Sequence, residues 1–315
     1  MNEHRLHNPD TISRDVSPHP SRTALVLGGG GSTGNAWLIG VVAGLYDAGL
    51  NVTDADLIIG TSAGATAAAQ LTGAIPADSL AATLVAVPVP ARRTALAGSV
   101  DHRAQSGPVI DHLERRRRII AAAEDAADMR RRTGGAALDL AATSDPSTQA
   151  RWRATVASRL PSQHWPEQRV LITAVNAETG APVVFDRNSG VDLVDAVAAS
   201  CASGFAYGVD DGRYIDGGYR SNAENADLAA GYERVLVLSP FGGRALTPVE
   251  WGLHLASQVD ALRAGGSRVE MIFPESSADH LFGASAMDVS LRPSAAQAGY
   301  DQGRVRAERL MEFWR

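Results

Sequence analysis

The sequence predicts an α/β fold with a mostly parallel sheet, and three observations carry that expectation. First, the apolar run Thr23-Ala24-Leu25-Val26-Leu27 reads as a strand and passes into a glycine-rich turn at residues 28–34. Residues 35–48 (NAWLIGVVAGLYDA) then read as a buried helix, with Gly49 placed to end it. Second, the order repeats at once: Leu57-Ile58-Ile59 is a short buried strand, residues 60–64 are a tight turn, and the alanine-rich residues 65–70 favour helix. Third, short unbroken apolar runs return at residues 169–175 (RVLITAV), 234–239 (RVLVLS) and 269–273 (VEMIF). Strand and helix in alternation give parallel pairing, because a crossover helix is what joins parallel neighbours.

The remaining elements follow in order. Residues 1–22 are polar, contain no apolar segment, and are expected to form a disordered arm. His4, His7 and His19 in this arm read as solvated rather than metal-binding. Residues 85–90 (VAVPVP) carry prolines that bar a central strand. Residues 108–132 turn helical and charged, with arginine runs at 115–118 and 130–132; residues 134–146 read as loop, and 149–160 as helix. The arginine runs are expected to be solvated helix faces, with anionic lipid the competing reading. Residues 75–160 as a whole are expected to form a helical, cap-like region on the sheet, with ordinary peripheral helices the equal competing reading. Residues 182–186 (PVVFD) follow the turn Glu178-Thr179-Gly180 and read as a hairpin partner. Residues 192–200 form a small-residue helix, and the chain from about residue 294 to 315 reads as an amphipathic helix. No compositional break divides residues 23–315, so a single domain is expected there.

Composition removes several function classes. A net charge of −6 argues against nucleic acid as a partner. All 29 basic residues are arginine. The absence of lysine rules out Schiff-base chemistry, a lysine general base and a P-loop. Cys201 is the one cysteine, so neither an intrachain disulfide nor a cysteine zinc cluster can form; this is compatible with a cytoplasmic protein. No stretch of eighteen or more apolar residues is present to cross a bilayer.

Gly60-Thr61-Ser62-Ala63-Gly64 fits G-x-S-x-G between a strand and a helix, the setting a nucleophile elbow requires. A serine at the apex of so sharp a turn crowds its neighbours two residues away, and glycine at Gly60 and Gly64 removes the clashing Cβ atoms. The hydroxyl is then presented beside a helix N-terminus, which favours developing negative charge. Acyl transfer also needs oxyanion donors, and the glycine run at 28–34 can turn successive backbone N–H groups toward one point. The same run fits a dinucleotide turn through Gly29, Gly31 and Gly34. That reading expects an acidic residue closing the second strand, whereas Asp54 and Asp56 precede it. For the base, the residues leave two options. Asp216, before Gly217 and Gly218, is either an exposed carboxylate or part of an ordinary turn. His254 and His280 stand where a Ser-Asp-His order would place the histidine, with neither in a recognisable loop.

Three motifs taken together resemble the patatin-like phospholipase family: Gly29-Gly30-Gly31-Ser32-Thr33-Gly34, Gly60-Thr61-Ser62-Ala63-Gly64 and Asp216-Gly217-Gly218. The flanks TALVLGGGGSTGNAWLIGVVAGL and YIDGGYRSNAENADLA, with RVLVLSP, are similar too, and the likeness runs from about residue 23 to 310. The resemblance implies a three-layer α/β/α fold and a Ser–Asp dyad without histidine. Ser62 would be the nucleophile, Asp216 its base, and the N–H groups of Gly29, Gly30 and Gly31 the oxyanion hole, with Gly34, Gly60, Gly64, Gly217 and Gly218 as motif glycines. It implies a lipid ester substrate (a phospholipid or lysophospholipid) met at a membrane surface, with no metal, cofactor, nucleotide or nucleic acid. One departure stands out. The family usually has Arg or Lys just before the last glycine of the first motif, and Thr33 stands here. A weakly active or silent lipid- or protein-binding scaffold is the alternative that this departure raises.

Overall fold

The computed structural model describes residues 22–85 and 108–315. The expected arm up to residue 21, with His4, His7 and His19, lies outside the described residues, as does the proline-bearing run after Val85. Arg22 is already held: its guanidinium lies 4.4 Å over the Tyr232 ring and donates to the Tyr232 hydroxyl at 3.0 Å.

The chain opens with β1 (Thr23–Leu27), α1 (Gly31–Asp47), β2 (Leu57–Gly60), α2 (Ala63–Gly73) and α3 (Pro76–Leu84). Four helices come next: α4 (Pro108–Ala122), α5 (Ala126–Leu138), the short α6 (Ala141–Ser144) and α7 (Pro146–Ala157). The sheet resumes with β3 (Val170–Asn176), β4 (Pro182–Phe185), α8 (Leu193–Ser200), β5 (Tyr207–Val209) and β6 (Gly212–Asp216). β7 (Arg234–Leu238), α9 (Leu255–Ala264), β8 (Arg268–Ile272) and α10 (Arg292–Trp314) complete it. The strands form one eight-stranded sheet in the order β5-β6-β3-β2-β1-β7-β8, with β4 also on β3. β3, β2, β1, β7 and β8 run parallel, and β4, β5 and β6 pair antiparallel. The α/β class with a mostly parallel sheet is therefore borne out.

Strand alternation sorts the core into two layers. Leu25, Leu27, Ile58, Leu236 and Leu238 face the side covered by α1, α2, α8 and α10. Ala24, Val26, Leu57, Ile59, Val235 and Val237 face the side covered by α9. α1 is buried nearly all round because α10 lies directly on it. The contact is backbone on backbone. A Cβ at Gly40 or Gly44 would strike the carbonyls of Ala296 or Tyr300, and one at Gly299 or Gly303 those of Trp37 or Val41. Four glycines thus let two helices cross closely in a chain with only 5% aromatic residues to fill space.

Two local expectations are corrected. α1 begins at Gly31 rather than near Asn35, so the glycine loop proper is only Gly28 to Gly30. The residues read as loop from 134 stay helical to Leu138. Gly134 sits inside α5 because a side chain there would strike the Ala177 carbonyl; the glycine serves contact, not a turn. The helices of the 75–160 stretch pack in different places: α3 against α1 and α10, α7 against α8, and α5 against β3 and β6.

One topological detail positions the site. β4 pairs with β3 from Ile172 to Val175, so it occupies one edge of that strand. β2 pairs with Val170 to Ile172 and β6 with Ala174 to Asn176, so both share the other edge. β2 leaves that edge after Gly60, and β6 enters from the opposite direction and stops at Asp216. The two strands meet nearly end to end, with Ser62 and Asp216 at the junction.

Candidate active site

Ser62 lies between β2 and α2 with φ 52° and ψ −113°. That left-handed conformation costs a non-glycine residue on the order of 1–3 kcal/mol and persists only where the surroundings fix it. Here they do. Ser62 N–H donates to Ser200 Oγ at 2.9 Å, and its carbonyl accepts from Thr66 N–H at 3.1 Å and from Cys201 Sγ at 3.1 Å. Thr61 N–H donates to the Leu27 carbonyl at 3.1 Å. A Cβ at Gly60 would stand 2.7 Å from Ala65 Cα, and one at Gly64 would strike the Leu27 carbonyl. Burial pushes the Cys201 thiol up to about 12, so it stays protonated and acts as a donor to the elbow.

Asp216 closes β6 and is only 7% exposed. Its Oδ1 accepts from Gly218 N–H at 2.8 Å, and the Ser62 side chain is near enough to favour the ionised carboxylate. Burial raises its pKa from 3.8 to about 6, against the opposing pull of Gly218, Ser62 and the Arg116 guanidinium. Gly217 lies where a side chain would meet Thr173, so the turn after Asp216 is pressed onto β3. Asn225, itself left-handed at φ 55°, ties the two arms together. Its Nδ2 donates to Thr61 Oγ1 at 3.0 Å and to the Gly217 carbonyl at 3.0 Å. Neither Asn225 nor the Ser200-Cys201 pair carried a signal in the sequence, since both act through contacts more than a hundred residues away or in irregular backbone.

The glycine loop reaches the same junction. A Cβ at Gly29 would lie 3.6 Å from Ser62 Cβ. The expectation that Gly29, Gly30 and Gly31 all donate is corrected for the first of them. Gly28 N–H goes to the Leu238 carbonyl at 2.9 Å, extending the ladder between β1 and β7, and Gly29 N–H goes to the Ala223 carbonyl at 2.8 Å in the irregular stretch after β6. Gly30 and Gly31 N–H have no acceptor among the described residues, nor has Ala63 N–H at the start of α2. Gly34 is inside α1, where an added Cβ would stand 3.0 Å from Pro240 Cβ, and its N–H closes the first turn on the Gly30 carbonyl. Gly218 donates the amide that Asp216 accepts.

The competing residues stand elsewhere. His254 immediately precedes α9, with Nε2 2.7 Å from the Thr247 carbonyl, and His280 is exposed in the short 3-10 helix Ser276–Leu281. Neither histidine has a hydrogen bond to Ser62 or Asp216 among the described residues. Asp56 accepts from Thr23 N–H at 2.7 Å, at the start of β1 and thus at the opposite end of that strand from the glycine loop. Thr33 is fully buried, and its N–H donates to the Ala286 carbonyl at 3.1 Å. Among the described residues no group of three or more His, Cys, Asp or Glu could hold a metal ion, and no helix is long and apolar enough to cross a membrane.

Comparison with known proteins bears on the same residues. A family model described as patatin-like phospholipase matches residues 25–228, a span holding both Ser62 and Asp216. Among solved structures, the chain is similar to VipD from Legionella pneumophila, at 13% identity and a TM-score of 0.42, covering 92% of this chain and 67% of that one. It is also similar to the type III effector protein ExoU, at 14% identity and a TM-score of 0.32, covering 91% of this chain and 54% of that one. No curated protein matches.

Proposed function

This chain belongs to the patatin-like phospholipase family, and we propose that it cleaves lipid acyl esters through Ser62 and Asp216. The family supports lipid hydrolysis in general; the observation that carries the finer reading is a strained serine beside a buried carboxylate, where two strand ends meet. A hydroxyl is a weak nucleophile until a base takes its proton. A carboxyl raised to about 6 is still ionised at neutral pH, and it is a stronger base than an ordinary aspartate.

In the first step Ser62 Oγ attacks the ester carbonyl carbon as Asp216 accepts the hydroxyl proton. The carbonyl oxygen becomes an oxyanion and is met by the N–H groups of Gly30, Gly31 and Ala63, which nothing else in the described protein uses. Collapse of the tetrahedral species breaks the bond to the alcohol, which leaves with the proton from Asp216. The acyl-Ser62 ester is then attacked by water, with Asp216 again taking the proton. The carboxylic acid departs and Ser62 recovers its hydrogen. Phospholipid or lysophospholipid is the expected substrate class, at a membrane surface and without a metal or organic cofactor.

The test pairs turnover of a p-nitrophenyl acyl ester and of phospholipid vesicles with fluorophosphonate labelling. Ser62→Ala should lose labelling and turnover together. Asp216→Asn should lower kcat by about three orders of magnitude or more while the fold holds. Full activity in either variant removes the dyad. A chain that neither labels nor turns over would instead be a binding scaffold.

A further inference from the structure

A second feature at this junction takes no part in the proton transfers. Arg292 is the first residue of α10, and its guanidinium is pressed onto the first turn of α1. One nitrogen donates to the Ser32 carbonyl at 2.8 Å and lies 3.4 Å from Ser32 Oγ; the other donates to Asn35 Oδ1 at 3.0 Å. Asn35 Nδ2 in turn donates to the Ala63 carbonyl at 3.3 Å and to Gln70 Oε1 at 2.9 Å. Gln70 Nε2 then donates to the Arg159 carbonyl at 3.1 Å. Arg292 therefore joins, through Asn35, the two helix starts that bear the free amides: Gly30 and Gly31 ahead of α1, and Ala63 at the head of α2.

The charge is the unusual part. Arg292 forms no ion pair with a carboxylate among the described residues. Its other charged neighbour is Arg159, and burial together with that cation pulls its pKa below the ordinary arginine value. The helix starts around it carry partial positive charge as well. A partly desolvated cation is normally paired, because oxygens of carbonyls and amides satisfy its hydrogen bonds without cancelling its charge. As a clip alone, a neutral side chain would serve with less repulsion. The negative charge that fits this environment is the one that forms on the ester oxygen during acyl transfer.

We infer that Arg292 is a positioning residue for that reaction: it holds the Gly30, Gly31 and Ala63 donors in register through a cationic anchor on the first turn of α1, which an ammonium can also supply, and adds its positive field to the oxyanion they bind. This rests on the Ser62 reading above. It acts through α1 and Asn35 rather than on the base, for Arg292 is not among the groups that set the Asp216 pKa.

The experiment compares Arg292→Gln and Arg292→Lys with wild type for kcat, KM, pH profile and Tm on a soluble p-nitrophenyl ester. Arg292→Gln should lower kcat about 10- to 100-fold, the scale on which small misplacement acts. KM should stay within about twofold and the acid limb should not move. Arg292→Lys, which keeps the charge and loses the fork, should recover most of kcat at a similar Tm. Wild-type kcat in Arg292→Gln overturns the inference, and so does an equal kcat loss in both variants. Should Arg292→Gln fail to fold, Arg292→Lys decides alone: a kcat within about threefold of wild type supports the role of charge, and a lost kcat at unchanged Tm overturns it. A wild-type chain that does not label with fluorophosphonate would sink the Ser62 reading instead, so the two failures are separable.

Discussion

The two arms that meet at the junction prepare their side chains by different physics. The serine arm works through backbone geometry. A parallel strand, a left-handed residue and two contact glycines fix where Ser62 Oγ points, and the strain is local. The aspartate arm works through solvent. Its strand is antiparallel and short, its backbone is unstrained extended chain, and what changes Asp216 is loss of water. Orientation of the Ser62 hydroxyl is thus set by steric exclusion and the proton affinity of Asp216 by dielectric exclusion. The two should fail differently when perturbed.

The largest effect should come from the geometric arm. Gly64 lies in the first turn of α2, where helix propensity alone favours alanine over glycine by about 1 kcal/mol. Contact predicts the opposite sign. The added Cβ would strike the carbonyl of Leu27, a residue of the central strand β1 that cannot move without shifting its neighbours. Sterics should win, because one side of the contact is sheet backbone rather than a rotatable side chain. Gly64→Ala is expected to lose about 3 kcal/mol or more and nearly all turnover. Urea unfolding and esterase assay check it; a stabilised, active variant would mean that the elbow is held by something other than close packing.

How much of the fold and the site is legible in the sequence follows the same division. Steric requirements leave a residue-type signature, so Gly60, Gly64 and the glycine run mark the turn and its strand–helix flanks by residue type alone. Dielectric requirements leave none. The residues around Asp216 do not show that β6 will run antiparallel, take the edge of β3 that β2 vacates, and end in a dry junction. That is a consequence of β6 pairing with β3 across about forty residues, while β2 reaches the same edge of β3 from over a hundred residues upstream. The Asp-Gly-Gly segment alone reads equally well as a surface turn. The Gly29 amide shows the limit from the other side: a glycine is visible in the sequence, but whether its N–H is free depends on Ala223, nearly two hundred residues away. Gly134 misled for a related reason, since a glycine needed for helix contact looks the same as one needed for a turn.

A second buried carboxyl tests whether burial alone accounts for the aspartate arm. Glu224 is fully buried under the glycine loop; Ser239 Oγ donates to its Oε1 at 2.5 Å, and its Oε2 has no partner among the described residues. Burial raises its pKa from 4.5 to about 7. A carboxyl whose pKa is higher folded than unfolded stabilises the fold below its unfolded value, and the contribution is lost as pH rises through the folded value. The window here is from about pH 4.5 to 7, and the full difference is on the order of 3 kcal/mol. Glu224→Gln should therefore raise Tm relative to wild type at pH 8. At pH 5, where Glu224 is already protonated, it should change Tm little. Equal effects at the two pH values would show that Glu224 is not carrying an uncompensated charge.

The smallest expected effect sharpens the aspartate arm itself. Arg116 lies on α4, 5.3 Å from the centre of the Tyr219 ring, with its Nε buried and without a partner among the described residues. It is the last in rank of the influences on Asp216, and it favours the carboxylate. On the proposed mechanism Asp216 has to be ionised to accept the serine proton, so kcat/KM should fall on an acid limb near pH 6 in the wild-type chain. Removing the guanidinium in Arg116→Gln withdraws a charge that stabilises the anion, so the carboxyl should bind its proton more tightly. The limb should move to higher pH, with the plateau rate at alkaline pH retained. Arg292→Gln is expected to do the reverse, lowering the plateau and leaving the limb in place. A shift of the limb in Arg292→Gln, or none in Arg116→Gln, would mean that the two cations do not divide the oxyanion and the base between them.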